Sequence, residues 1–125
     1  MAGNKRLRRF KEAQADTYET ALAEIRNGRK ESHWMWFIFP QMKGLGYSRN
    51  ANYYGLSGLD EAGLYLEHPV LGARLRSACR AVLAIEGKEI GDVMPGIDAI
   101  KLRSSMTLFD RISPGDIFAD ILDRY

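Results

Sequence analysis

Ser32-His33-Trp34-Met35-Trp36-Phe37-Ile38-Phe39-Pro40-Gln41 is the stretch on which the fold class turns. Nearly every side chain in it is apolar. Neither the two-residue alternation of a strand nor the stripe of an amphipathic helix can be read from it. A buried strand and a short buried helix both fit, so the rest of the chain has to decide. A lone strand would leave its backbone N–H and C=O groups unpaired, and no partner strand is evident elsewhere. The segment is therefore predicted to be a short buried helix, begun by Ser32 as N-cap and closed before Pro40.

The flanking sequence is helical in pattern. Upstream, Phe10, Ala13, Gln14, Thr17, Tyr18, Ala21, Leu22 and Ile25 recur at spacings of one helix face. They predict a helix from about Leu7 to Asn27, ended by a left-handed Gly28. Lys11, Glu12, Asp16, Glu19 and Glu24 mark its wet face. Downstream, the glycine-rich Lys43–Gly58 reads as a loop with a helical turn near Asn52–Tyr54. Ser57, with Asp60 and Glu61 behind it, looks like the start of a helix reaching Glu67.

Pro69 fits the first turn of the next helix, whose buried face runs from Val70 and Leu71 to Leu83 and Ile85. Glu89–Met94 reads as one further turn. Asp98 can cap a helix through about Phe109, with Ile97, Ile100, Ser104, Thr107 and Leu108 near one face. Pro114-Gly115-Asp116 starts a last helix. The expectation is an all-α, compact multihelical single domain over residues 1–125, with about five to six helices and a short buried central one. Residues 1–8 read as a frayed basic extension.

Composition narrows the class of function. The chain has 125 residues, 46% apolar and 27% charged, and 18 Lys+Arg against 16 Asp+Glu give a net charge of +2. Such a balance excludes intrinsic disorder. A chain of this size buries roughly two-thirds of its extended surface, which is enough for a core. Cys79 is the only cysteine, so no disulfide scaffold is possible. The longest apolar run, Trp34–Pro40, falls far short of the ~20 residues a bilayer needs, and no membrane association is expected. MAGNKRLRRF has no apolar stretch behind it and is no secretory signal, which makes a reducing cytoplasm the default address.

Few motifs carry chemistry. His33 and His68 are the only histidines and Cys79 lies in an apolar helix face, so neither metal nor cofactor is expected. Gly44-Leu45-Gly46 is not a dinucleotide fingerprint and reads as a turn. His68 before Pro69 reads as a helix cap. Lys5, Arg6, Arg8, Arg9 and Lys11 could contact phosphates or simply form a solvated helix start. The remainder of the chain is not basic, which argues against nucleic acid as the main partner.

Two segments stand out. The aromatic stretch is either core or the wall of a pocket. As a wall, Trp34 or Trp36 would stack a planar group, and His33 and Gln41 would orient it. His33 is then the candidate catalytic residue, as general acid–base. In Lys101-Leu102-Arg103-Ser104-Ser105-Met106-Thr107-Leu108-Phe109, helical spacing puts Lys101 near Ser104 and Ser105. That arrangement suits an anion, although small polar residues also serve close helix packing. A nucleophilic serine would need an oxyanion hole that nothing in the sequence supplies. The expected function is binding of a small anionic or nucleotide-like metabolite in a cleft between the two segments. The alternatives are a non-enzymatic interaction module, or weak nucleic-acid binding through the N-terminus.

These two segments, with Gly44-Leu45-Gly46 and Ser48, Leu59-Asp60-Glu61-Ala62, Tyr65-Leu66-Glu67-His68-Pro69, Leu71-Gly72 and Arg74-Leu75, together resemble the domain-of-unknown-function family 1810. The resemblance runs from about Arg9 to Tyr125. It implies a small multihelical protein with a short helix near its centre. It implies no reaction and no catalytic residue. Many members carry the label "calpastatin", but inhibitors of that type are long disordered segments, whereas this chain has the composition of a compact domain. Typical members continue past the last helix with a Gly- and Asp-containing segment. If such a segment covers a groove, that groove stands open in a chain ending at Tyr125.

Overall fold

The structure, a computed structural model, describes residues 2–44 and 48–125, with side chains from Leu7 onward. Among these residues the chain forms eight helices and no strand. In order they are α1 (Ala2–Arg26), α2 (Met35–Ile38), α3 (Arg49–Tyr54), α4 (Leu59–Glu67), α5 (Leu71–Leu83), α6 (Ile90–Val93), α7 (Asp98–Ile112) and α8 (Ile117–Arg124). The all-α reading holds. The brief α3 and α6, each read from sequence as a single turn, take the count above five to six.

α1 buries Leu7, Phe10, Gln14, Tyr18, Ala21, Leu22 and Ile25, with Ala13 and Thr17 at the edge of that face. Its backbone is helical from Ala2 rather than Leu7, because no proline interrupts the run upstream. Gly28, at φ +79°, closes it as predicted. α1 packs along α5 and α2, α4 packs on α5 and α7, and α8 packs on α7 and α5. The aromatic core passes from Phe10 edge-on to Tyr65, then to Phe109 and Phe118. Gly72 lets α5 approach the end of α4. A Cβ there would lie 2.0 Å from the Leu66 carbonyl oxygen.

The aromatic stretch is helical, as expected, but only for one turn. Ser32 does not cap it; the residue at the N-cap position of α2 is Trp34, which makes no side-chain cap bond. Ser32 is engaged by α1 instead. The Glu24 carboxylate accepts the Glu31 N–H at 2.7 Å, the Ser32 N–H at 2.9 Å, the Ser32 hydroxyl at 2.5 Å and the Trp34 indole N–H at 2.9 Å. Glu24, read as part of a wet face, therefore organises the entry to α2. At the other end the buried Gln14 amide donates to the Phe37 carbonyl at 2.6 Å and to the Tyr65 hydroxyl at 3.0 Å. One helix thus fixes α2 from both sides.

The segment after α2 is held by a single parallel bridge, Met42 with Leu56. The Lys43 N–H donates to the Leu56 carbonyl and the Leu56 N–H to the Gln41 carbonyl, each at 2.8 Å. Between them Ser48 caps α3 by accepting the Ala51 N–H. The predicted turn at Gly44-Leu45-Gly46 falls partly on residues 45–47, outside the described residues. α4 begins at Gly58 rather than on a Ser57 cap, and Glu61 reaches back to accept the Ser57 N–H at 3.0 Å. Glu61 also receives Arg9, whose guanidinium donates to the Tyr53 and Gly55 carbonyls. Arg9 is therefore a clasp on the loop around α3.

His68 does act as a cap. Its Nδ1 accepts the N–H groups of Val70 and Leu71 at 3.1 and 3.2 Å, which requires that nitrogen unprotonated. Desolvation, then the nearby Lys11, lower its pKa and favour the neutral ring. Asp98 is not a cap: Ile97 precedes α7, and Asp98 pairs with Lys30 at 2.9 Å. Asp116 caps α8 through the Ile117 N–H. Arg76, at 2.8 Å, leads the interactions that hold the Asp116 carboxyl at about 2, below the usual carboxylate range.

Candidate functional site

A cleft of about 640 Å³ opens between the end of α2, the α3 loop and the first turns of α7. Trp36 comes from α2, with Gln41 and Met42 just after it. Ser48, Ala51, Tyr54 and Gly55 come from the α3 loop, and Ile97, Ile100, Lys101 and Ser104 from the start of α7. The walls are mainly apolar, with a few convergent polar groups. That is the usual make-up of a small-molecule site. Gln41 lines the cleft, and its backbone carbonyl makes the bridge to Leu56.

The electrostatics centre on Lys101. Its ammonium lies 4.7 Å from the centroid of the Trp36 ring. Among the described residues it has no carboxylate partner. The Trp36 indole N–H is buried and has no acceptor. A second lysine–tryptophan pair lies nearby and is complete. Lys30 sits 5.2 Å from the Trp34 ring centroid and is paired with Asp98, while the Trp34 N–H is bonded to Glu24. In the cleft the same two residue types leave a cation without a counter-charge and a donor without an acceptor.

The two segments expected to face each other do so, through part of their residues. Trp36, Gln41, Lys101 and Ser104 line the cleft. Trp34, Ser105 and His33 do not. Trp34 is 0% exposed and lies on the core side of α2, so it offers no ring face to a ligand. Ser105 is equally buried, and its hydroxyl has no hydrogen-bond partner. His33 is exposed, outside the lining. The reason is helical geometry. Successive residues of one turn point about 100° apart, so Trp36 and Ser104 can face the cleft while Trp34 and Ser105 face the core.

The residues missed are instructive. Ile97 and Ile100, read with Ser104, Thr107 and Leu108 near one face of α7, are 63% and 67% exposed. The part of α7 that enters the core carries Leu102, Ser105, Met106, Leu108 and Phe109. Of the apolar stripe read from sequence, Leu108 packs while the Ile97 and Ile100 end stays outside the core. The α3 loop was read as glycine-rich with a helical turn near Asn52–Tyr54, which α3 contains, but nothing in it marked Ser48, Ala51, Tyr54 or Gly55 as lining a cleft. Gly55 is needed there because a Cβ would lie 2.6 Å from the Lys43 Cα.

Among the described residues no group of three or more His, Cys, Asp or Glu could hold a metal ion. Cys79 is buried, and desolvation pushes its thiol pKa far up, so it is not a nucleophile. Among the described residues no helix is long and apolar enough to cross a membrane.

The family model for a protein of unknown function, DUF1810, matches residues 4–125. The crystal structure of the conserved hypothetical protein Rv1873 from Mycobacterium tuberculosis is similar over 95% of this chain and 86% of that one. Its TM-score is 0.93 and its sequence identity 45%. No curated protein matches the chain. The family match spans both walls of the cleft, and on it the chain belongs to DUF1810, a family of unknown function.

Proposed function

We propose that the cleft binds a small anionic metabolite with a planar or apolar body. The observation that carries this reading is Lys101, a half-buried cation on an apolar wall with no carboxylate partner among the described residues. An oxyanion would complete its pairing and gain from the low-dielectric surroundings. Gln41 and the Ser104 hydroxyl would hold further oxygens, and Trp36, Tyr54 and Met42 would cover the apolar body. Trp34 and Ser105 would act from behind, by fixing the helices that present these groups.

Binding is favoured over reaction. His33, the candidate acid–base, lies outside the lining, and no other imidazole, thiol or carboxylate side chain replaces it there. Nucleic-acid binding through the N-terminus has less support, because Arg9 is committed to Tyr53, Gly55 and Glu61 within the fold.

The test is a thermal-shift panel of nucleotides, sugar phosphates, coenzymes and organic acids, run with the parent and with Lys101→Ala. A ligand at about 100 times its Kd stabilises by about 2.7 kcal/mol. In a domain of this size that raises Tm by roughly 10 °C. The expected result is a rise for one chemical class in the parent and none in the variant. A panel with no shift, or a shift that Lys101→Ala retains, overturns the reading.

A further inference from the structure

The cleft is not the only hollow beside the start of α7. A second, of about 200 Å³, lies between α6, α7 and α8. Ile90, Ala99, Leu102, Ile121 and Leu122 give it mainly apolar walls. Arg103 and Tyr125 complete the lining, the Arg103 guanidinium donating to the Tyr125 carbonyl oxygen at 3.5 Å. The two hollows share one residue, Ile100, which is 67% exposed and forms the ridge between them. Ile97 beside it is 63% exposed. No Asp or Glu side chain lines either hollow, whereas Lys101 lines the first and Arg103 the second.

We infer that the ligand of the cleft is an anionic amphiphile, with its head at Lys101 and an unbranched apolar tail running over Ile100 into the second hollow. This rests on the reading of the cleft given above and extends it. The wider, more polar first hollow places the head. There Lys101 has no carboxylate partner among the described residues and stands beside Gln41 and Ser104, whereas Arg103 in the second hollow already donates to the Tyr125 carbonyl oxygen. Apolar continuity places the tail. A compact polar ligand would fill the first hollow and leave the second in water. A peptide would bring backbone N–H and C=O groups into a hollow whose only charged side chain is Arg103, and most of them would go unpaired. A hydrocarbon tail brings no such groups.

The tail makes a quantitative prediction. Each buried methylene contributes about 0.8 kcal/mol, or about fourfold in affinity. A series of monomeric straight-chain carboxylates from acetate to decanoate, titrated against the native protein by calorimetry and by its tryptophan fluorescence, should tighten about fourfold per added methylene. It should then level off once the second hollow is full. Ala99→Phe, which places bulk in that hollow, should bring the plateau to shorter chains and leave the shortest acids unchanged. Leu122→Trp serves the same purpose should the first variant fold poorly.

Affinity that is flat with chain length, while a nucleotide or sugar phosphate binds in a Lys101-dependent way, overturns the tail and leaves the cleft reading standing. Chain-length dependence unaltered by both variants places the tail elsewhere and also overturns it. If neither the acids nor the metabolite panel binds, both readings fall together. Vesicles of phosphatidylcholine and phosphatidylglycerol form the remaining arm. Binding to them that decanoate does not compete away would indicate a membrane surface and overturn the proposal.

Discussion

Trp34 and Trp36 belong to the same short segment, and each has a lysine ammonium over its ring. Around Trp34 every polar group has its partner: the indole N–H has Glu24, and Lys30 has Asp98. Around Trp36 the indole N–H has no acceptor and Lys101 has no carboxylate among the described residues. Burying a polar group without a partner is unfavourable, so most such groups are satisfied; the Trp36 indole N–H and the Ser105 hydroxyl in the core are exceptions. The difference separates a side of the molecule built for packing from a side left incomplete. On the proposed reading, the anionic ligand supplies the missing partner of Lys101.

The sharpest way to break this comparison is to truncate each tryptophan in turn. Trp34→Ala removes a fully buried indole and one of the four hydrogen bonds to the Glu24 carboxylate, and should destabilise by about 3–5 kcal/mol. Trp36→Ala leaves a residue that already faces a cleft, so its stability loss should be no more than about 1–2 kcal/mol. Urea midpoints of both variants are the measurement. Equal losses would mean that the Trp36 side is core as well, and the contrast would be gone.

A second test probes the packed side alone, through two glycines. Gly72→Ala puts a Cβ 2.0 Å from a backbone oxygen of α4, an overlap that only a shift of whole helices can relieve. The expected loss is about 3 kcal/mol. Gly63, inside α4, has no atom within 4 Å of its would-be Cβ. Gly63→Ala should therefore stabilise by about 0.4–1 kcal/mol, through the unfolded chain. Thermal midpoints that moved in the same direction would show that the α4–α5 approach is not limited by Gly72.

How far the sequence carries this picture depends on whether the deciding interaction is local. The stripe of α1, the left-handed Gly28 and the His68 cap are contacts within a few residues, and each was legible. The all-α class followed by elimination, because no partner strand existed for Ser32–Gln41. What was illegible came from partners distant in the chain. Ser32 is a good N-cap by type, but Glu24 on α1 claims both its hydroxyl and its N–H. Trp34 and Trp36 could not be told apart because their neighbours are all apolar, and only the helices packed around α2 decide which ring is covered.

In α7 two apolar stripes compete. Periodicity does not say that the Ile97 and Ile100 end of one is the wall of a hollow rather than part of the core. The residue types of the cleft were legible; that Trp36 and Lys101 actually meet follows only from tertiary packing.

The last prediction concerns what keeps the Trp34 side closed, and it is a matter of pH. Burial alone would raise the Glu24 carboxyl. The hydrogen bonds from the Ser32 hydroxyl and N–H, the Glu31 N–H and the Trp34 indole outweigh burial and hold it at about 2. An unfolded glutamate titrates near about 4.3. The folded state therefore binds fewer protons than the unfolded state between these values, so this group makes stability rise with pH there. Its contribution is fully present above about 4.3 and is lost as pH falls towards about 2.

Asp116, also held at about 2, adds a slope of the same sign. Glu24→Gln removes one slope and keeps the other. At pH 7 the amide can no longer accept all four donors, and stability should drop by about 1–2 kcal/mol. As pH falls through the acid window, the variant should lose less than the parent, and the two Tm curves should converge. Parallel curves down to pH 2 would mean that Glu24 does not hold α2 in place, and that the completeness of the Trp34 side has another source.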